Sequence, residues 1–140
     1  MTRSPLDNLA DLGQLRRQAA DAGEYVGLLR SGTARLADAG IASLSIESRF
    51  DLAYNAAHAL SLAALRRLGY RPVNRYIVFQ ALPHTLGLGP EVWRVLDRCH
   101  TLRNRGEYEG ALDVDERLVA GLVVACERVR DALVAIPVTP

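Results

Sequence analysis

The sequence contains no lysine, so all 17 of its basic residues are arginines. Sixteen acidic residues nearly balance them, and the formal net charge is +1. A chain so close to neutral has no overall field that would draw it to nucleic acid or to an anionic membrane. Any binding of phosphate groups must therefore come from a local cluster of arginines.

Cysteine is also scarce. Cys99 and Cys126 have neither the number nor the spacing of a disulfide framework or a metal site. Both lie among apolar positions of helical spacing, so we expect two buried, reduced thiols of the kind found in cytoplasmic proteins. We expect neither a metal ion nor a cofactor.

Long apolar runs are missing as well. No uninterrupted stretch approaches the roughly 18 apolar residues that a membrane-spanning helix needs. The first residues, Met1 to Pro5, are followed by Asp7 and Asp11 and not by the hydrophobic region of a signal peptide. We therefore expect a cytoplasmic protein that does not associate with membranes.

The pattern that is present is helical. In 140 residues, of which 49% are hydrophobic, apolar side chains recur at intervals of three and four almost throughout. This length suits one domain, residues 1–140, with a substantial core. The sequence predicts an all-α fold, an up-and-down antiparallel bundle of about five helices with essentially no sheet.

The predicted helix boundaries follow from caps, glycines and prolines. The first helical region covers residues 6–39, with a break near Asp21–Gly23. The second covers 46–68 and ends at Gly69. The third covers 75–85 and bends at Pro83. The fourth covers 90–105, and the last begins after Asp113, with Glu116 completing a capping box, and ends at Pro137.

One arginine does not fit the fourth helix. At about 100° per residue, Arg103 falls inside the apolar arc, whereas Arg94, Arg98 and Arg105 lie on the opposite side. An arginine on a core-facing arc must be paired, reach outward or line a cleft, and both structural and functional interpretations are open. If Gly106 breaks the helix, Tyr108 can fold back toward Arg103; in a continuous helix the two positions are about 140° apart.

The second predicted helix carries polar residues that are candidates for the side of a site opposite Arg103. Asp51, Asn55 and His58 share one narrow strip beside its apolar face, either as an exposed polar edge or as part of a site. His84 and His100 lack metal-ligand spacing, and we expect structural roles for both. A basic run around the helix end forms either a solvated face or a phosphate contact; it consists of Arg66, Arg67, Arg71 and Arg75.

The segments 103–108 (RNRGEY) and 49–58 (RFDLAYNAAH) resemble the HEPN superfamily (higher eukaryotes and prokaryotes nucleotide-binding), in particular its small bacterial members. The resemblance covers about residues 45–135. The characteristic motif of that family begins with an arginine near the end of a late helix, which is often followed by a polar residue. After four to six further residues comes a histidine. Tyr108 stands here in place of that histidine. The resemblance implies a bundle of four or five helices and a homodimer whose two motifs face each other across a cleft.

Family members with the complete motif are often metal-independent endoribonucleases. Carried over, Arg103 would hold the scissile phosphate and Asn104 would help to orient it, with Tyr108 at the histidine position. Asp51, Asn55, His58 and Arg105 are further candidate contacts for substrate or phosphate. A phenol has a pKa of about 10 and does not exchange protons near neutral pH as histidine does.

The resemblance therefore implies RNA or nucleotide binding with weak or no ribonuclease activity. The resemblance also suggests a toxin–antitoxin or defence system as the setting, and some members of the HEPN superfamily have a nucleotidyltransferase as partner. The alternative is a noncatalytic dimeric protein-interaction module in which Arg103 and Tyr108 are structural.

Overall fold

The structure, a computed structural model, describes residues 4–109 and 113–136, without the side chains of 107–109. This part of the chain forms seven helices and one two-stranded sheet, which confirms the predicted all-α class. In chain order the elements are α1 (Pro5–Asp11), β1 (Leu15–Arg17), α2 (Ala22–Ala39), α3 (Ile46–Arg67), β2 (Tyr70–Pro72), α4 (Tyr76–Gln80), α5 (Leu82–Thr85), α6 (Pro90–Glu109) and α7 (Glu116–Val134). No helix in these ranges is long and apolar enough to cross a membrane.

The central element is α3, which packs against α2, α6 and α7 and also contacts α4, α5 and β2. Its alanines let neighbouring helices approach closely, and its larger side chains, Phe50, Tyr54 and Leu60, are completely buried. The long helices α2, α3, α6 and α7 form the predicted bundle around this core.

Several helix ends follow from local chemistry. The side chain of Asp21 accepts a hydrogen bond from the Glu24 amide at 2.9 Å and begins α2, so the predicted break near residue 21 is present. Gly69 follows the C-terminal cap of α3 with φ of +87°, a conformation that glycine adopts at little cost. The last helix begins two residues later than predicted from Asp113, because Asp115 is the residue that caps it, through the Leu118 amide.

The sequence did not predict the first of two further interruptions. The first helical region contains β1, which pairs antiparallel with β2 so that Leu15 lies opposite Pro72. Strands of three residues are too short to produce a period-two pattern. The third region bends at Pro83, as predicted, and is divided there into two short helices, because Pro83 lies in the first turn of α5 and cannot donate a helical hydrogen bond to α4. These interruptions raise the number of helices above the predicted five.

The sequence left open a break at Gly106, and the helix does not break there. Helix α6 continues through Gly106 and ends at Glu109, beyond the predicted end at Arg105. A glycine inside a helix costs only about 1 kcal/mol relative to alanine, which is too little to end a helix that packs along α7. Pro137, predicted to end the last helix, lies outside the described residues.

Both cysteines have the predicted environment. Cys99 on α6 and Cys126 on α7 are free and buried. Burial raises the pKa of Cys99 to about 11 and that of Cys126 to about 12. Both thiols therefore stay protonated and unreactive at neutral pH.

Helices α2 and α3 pack closely at Gly32. A Cβ atom there would lie 2.6 Å from Cγ of the buried Leu60, whereas a Cβ at the exposed Gly27 would meet nothing within 4 Å. We expect Gly32→Ala to lower the free energy of unfolding by about 1–3 kcal/mol through overpacking. Gly27→Ala on the same helix should raise it by up to about 1 kcal/mol through helix propensity. Urea denaturation measures both, and equal effects of the two substitutions would contradict this account of the α2–α3 contact.

Candidate functional site

Arg103 projects from α6 toward α3, the direction that its helical position predicts. Its guanidinium carbon lies 4.9 Å from the centre of the Tyr54 ring, in the geometry of a cation–π contact. Its Nε atom lies 3.9 Å from Oδ1 of Asp51. The Arg103 side chain is 22% exposed and that of Asp51 is 58% exposed. Arg103 is therefore held at the edge of the bundle with part of its surface accessible.

A buried chain of hydrogen bonds lies beneath Arg103. The hydroxyl of Tyr54 and Nδ1 of His100 are 2.8 Å apart, and Asn104 Nδ2 lies 3.2 Å from His100 Nε2. With the amide of Asn104 assigned this way, its Nδ2 atom donates to Nε2 of His100. The imidazole proton is then on Nδ1 of His100, which donates to the hydroxyl oxygen of Tyr54. His100 thus fixes the side chain of Asn104, which is the chain neighbour of Arg103.

Two aromatic side chains of helix α4 pack against the same cluster. The rings of Tyr76 and His100 meet at 4.6 Å with 74° between their planes. Phe79 is completely buried and contacts both Tyr54 and His100 edge-on. Tyr76, in contrast, is 52% exposed. Neither aromatic was a predicted site residue, because only the folding of α4 against α6 brings them there.

His58 lies on α3 near the same cluster, and its ring meets Phe79 edge-on at 6.3 Å. Its Nε2 atom is buried and has no hydrogen-bond partner among the described residues. The pKa of His58 is lowered to about 4, mainly by burial and in smaller part by the charges of Arg75, His100 and Arg103. His58 is therefore neutral at pH 7.

The structure brings together some of the predicted site residues. Asp51 forms an ion pair with Arg103, and the charge of Arg103 contributes to the lowered pKa of His58. Asn104 contacts the cluster through its hydrogen bond with His100. Asn55 is half-buried, and no hydrogen bond among the described residues connects it to Arg103.

Two other predicted residues are placed differently. Arg105 is exposed on α6. Tyr108 lies in the part of α6 beyond Gly106, so the chain does not fold back there, and its side chain is outside the described residues. Of the other histidines, His84 is exposed, whereas His100 is buried and hydrogen-bonded at both ring nitrogens.

The basic run of residues 66–75 is not a uniform solvated face. Arg66 is buried, forms an ion pair with Glu24 and donates to the carbonyl oxygens of Gln18 and Ala19 at 2.9 and 2.7 Å. Arg71 pairs with the same Glu24 carboxylate at 2.6 Å. These two arginines connect α2 and α3 to the small sheet. Arg75, beside Tyr76, is exposed.

The chemistry that this site can perform follows from these contacts. A preorganised guanidinium beside a fixed amide can bind an anion. In contrast, His58 has too low a pKa to be an efficient proton acceptor at pH 7, and both ring nitrogens of His100 are hydrogen-bonded within the chain. In the described ranges, no three His, Cys, Asp or Glu side chains are grouped so that they could hold a metal ion.

Comparisons with known protein families, with curated proteins and with solved structures give no match for this chain.

Proposed function

We propose that this protein binds the phosphate groups of RNA or of a nucleotide through Arg103, as a HEPN-like homodimer with weak or no ribonuclease activity. The observation that carries this proposal is the position of the Arg103 guanidinium, which is partly exposed and stacked on Tyr54 while Asn104 is fixed beside it. A toxin–antitoxin or defence system with a nucleotidyltransferase-type partner is the biological setting that the sequence resemblance suggests.

The energetics favour exchange of Asp51 for a phosphate. An ion pair at 3.9 Å to a carboxylate that is more than half exposed contributes less than about 1 kcal/mol. A phosphate oxygen pair can instead accept two parallel hydrogen bonds from one guanidinium, which is a stronger arrangement. The Tyr54 ring holds the arginine in place, so little conformational entropy is lost on binding.

The proposal of weak or absent catalysis has a separate basis. Cleavage of RNA without a metal needs a group that exchanges protons near neutral pH. His58 is neutral with a pKa of about 4, and His100 is engaged by Tyr54 and Asn104. If Tyr108 completes the site, its phenol is a poor base at this pH.

A second candidate function is a noncatalytic dimeric protein-interaction module. It is supported by the pairing of Arg103 with Asp51 inside the chain and by a cavity of about 640 Å³ between α6 and the start of α7. The cavity combines apolar and charged side chains, among them Val95, Leu102, Leu118, Arg98 and Asp115.

Substitutions of Arg103 and Asp51 should have opposite effects on RNA binding. We expect Arg103→Ala to weaken binding of a fluorescein-labelled RNA about tenfold or more, because it removes charged hydrogen bonds to phosphate. Asp51→Asn should strengthen binding about two- to fivefold, because a competing and repelling carboxylate is lost. Fluorescence anisotropy at several salt concentrations measures both effects, and Arg103→Ala should reduce the salt slope by about one.

The matched control is Arg94→Ala, which removes the same charge from an exposed position of the same helix. Its effect should be small. If Arg94→Ala weakens binding as much as Arg103→Ala, binding is a general response to positive charge and this site is not responsible. If the wild-type protein binds no RNA and no nucleotide, the interaction-module hypothesis is favoured.

A further inference from the structure

Tyr76 is an exposed aromatic side chain held against the Arg103 site. Although 52% of its surface is accessible, its ring is fixed by the contact with His100 at 4.6 Å. His100 is itself immobilised, because it is 2% exposed and both of its ring nitrogens are hydrogen-bonded. The tyrosine therefore has a rigid support on one side and solvent on the other.

Two cations accompany this ring. Arg75 is its chain neighbour and is exposed, and Arg103 lies on the Tyr54 ring, which is hydrogen-bonded to the same His100. The charges of Arg75 and Arg103 both lower the pKa of His58, which packs against Phe79 of the same helix as Tyr76. Proteins bind unpaired nucleotides with accessible aromatic rings accompanied by cations, because the bases stack on the rings and the phosphates pair with the cations.

We propose that Tyr76 stacks on an unpaired nucleobase while Arg103 and Arg75 bind the phosphates on either side of that nucleotide. This inference rests on the proposed function, since it names the form of RNA that the Arg103 site accepts. A base inside a duplex already stacks on its neighbours and cannot reach the ring without unstacking. The site should therefore prefer single-stranded RNA to duplex RNA, with little preference among base sequences.

The competing explanation is that Tyr76 only packs against His100. Under that explanation its substitution changes stability, and RNA binding changes only as far as the Arg103 site is disturbed. Binding of a ligand that has phosphates but no bases then falls together with binding of ordinary RNA. A stacking residue instead affects only ligands that carry bases.

The experiment uses three fluorescein-labelled probes of about eight nucleotides: a single-stranded RNA without secondary structure, the same strand annealed to its complement, and an abasic strand of the same length. Anisotropy titrations compare the wild-type protein with Tyr76→Ala, Tyr76→Phe and Arg103→Ala. Val124→Ala is the control, because it truncates another exposed apolar side chain on the distant helix α7. Denaturation curves establish that each variant is folded.

We expect Tyr76→Ala to weaken binding of the single-stranded RNA roughly 5- to 100-fold and to leave binding of the abasic strand within about twofold. Tyr76→Phe, which keeps the ring, should bind within about threefold of the wild type. Arg103→Ala should weaken binding of both strands. If Tyr76→Ala loses no affinity, or loses it equally for the abasic strand, the stacking role is wrong while the proposed function stands. If the wild-type protein binds none of the three probes, both are wrong.

Discussion

Replacing Arg66 by methionine is expected to lower the free energy of unfolding by about 3–5 kcal/mol. The side chain is 2% exposed and pairs with Glu24, while its other nitrogens donate to the carbonyl oxygens of Gln18, Ala19 and Tyr70. Methionine fills much of the same volume but donates no hydrogen bond. The carbonyl oxygens would then lose their donor and the Glu24 carboxylate would keep only Arg71 among the described residues, and the loss of the buried donors is the dominant cost.

Arg67→Met is the matched control. Arg67 is adjacent on α3 but only half-buried, so its replacement should change stability by less than about 1 kcal/mol. Chemical denaturation followed by circular dichroism measures the difference between the two variants. If Arg66→Met is too unstable to measure, Arg66→Lys, which keeps the charge without the planar donors, should lie between it and the wild type. Equal stability of the Arg66 and Arg67 variants would show that the buried network contributes little.

Acidification should destabilise the protein through His58. Burial holds the pKa of this imidazole at about 4, against about 6.5 in the unfolded chain. Between these values the unfolded chain binds a proton that the folded protein does not, so the stabilising contribution is complete above pH 6.5 and is lost as the pH falls toward 4. The full loss corresponds to about 3 kcal/mol.

His58→Gln removes this dependence, because glutamine does not titrate. The variant should lose about 3 kcal/mol less stability than the wild type between pH 7 and pH 4, as measured by denaturation at each pH. The carboxylates titrate in both proteins and cancel in the comparison. His84→Gln, at an exposed position, should keep the wild-type profile. Parallel profiles for the wild type and His58→Gln would contradict the assignment of acid sensitivity to this residue.

Most of the fold could be predicted from local sequence features. Apolar spacing predicted the long helices, and short-range capping groups placed several ends within a few residues, as at Asp21 and Gly69. Where such signals competed, the prediction was less accurate. Gly106 was expected to end α6, but tertiary packing outweighs the small cost of one glycine.

The candidate site was predictable only in outline. The helical position of Arg103 predicted its direction, and the strip on α3 predicted a neighbour, Asp51. Tyr76 and His100 were missed as members of the site. The four-residue spacing of His100 and Asn104 on α6 was a signal for His100, whereas no spacing in the sequence relates Tyr76 to Arg103. Their proximity depends on how α4 packs against α6.

The sequence by itself thus determined which segments are helical, which of their faces are apolar and where most of them begin. These properties depend on residues a few positions apart, whose relative geometry is set by the backbone alone. Only the tertiary structure decided that β1 pairs with β2, that Arg66 is buried against Glu24, and that Tyr54 meets His100. The last two contacts join residues 42 and 46 positions apart, and such contacts form only when the whole bundle closes its core around α3.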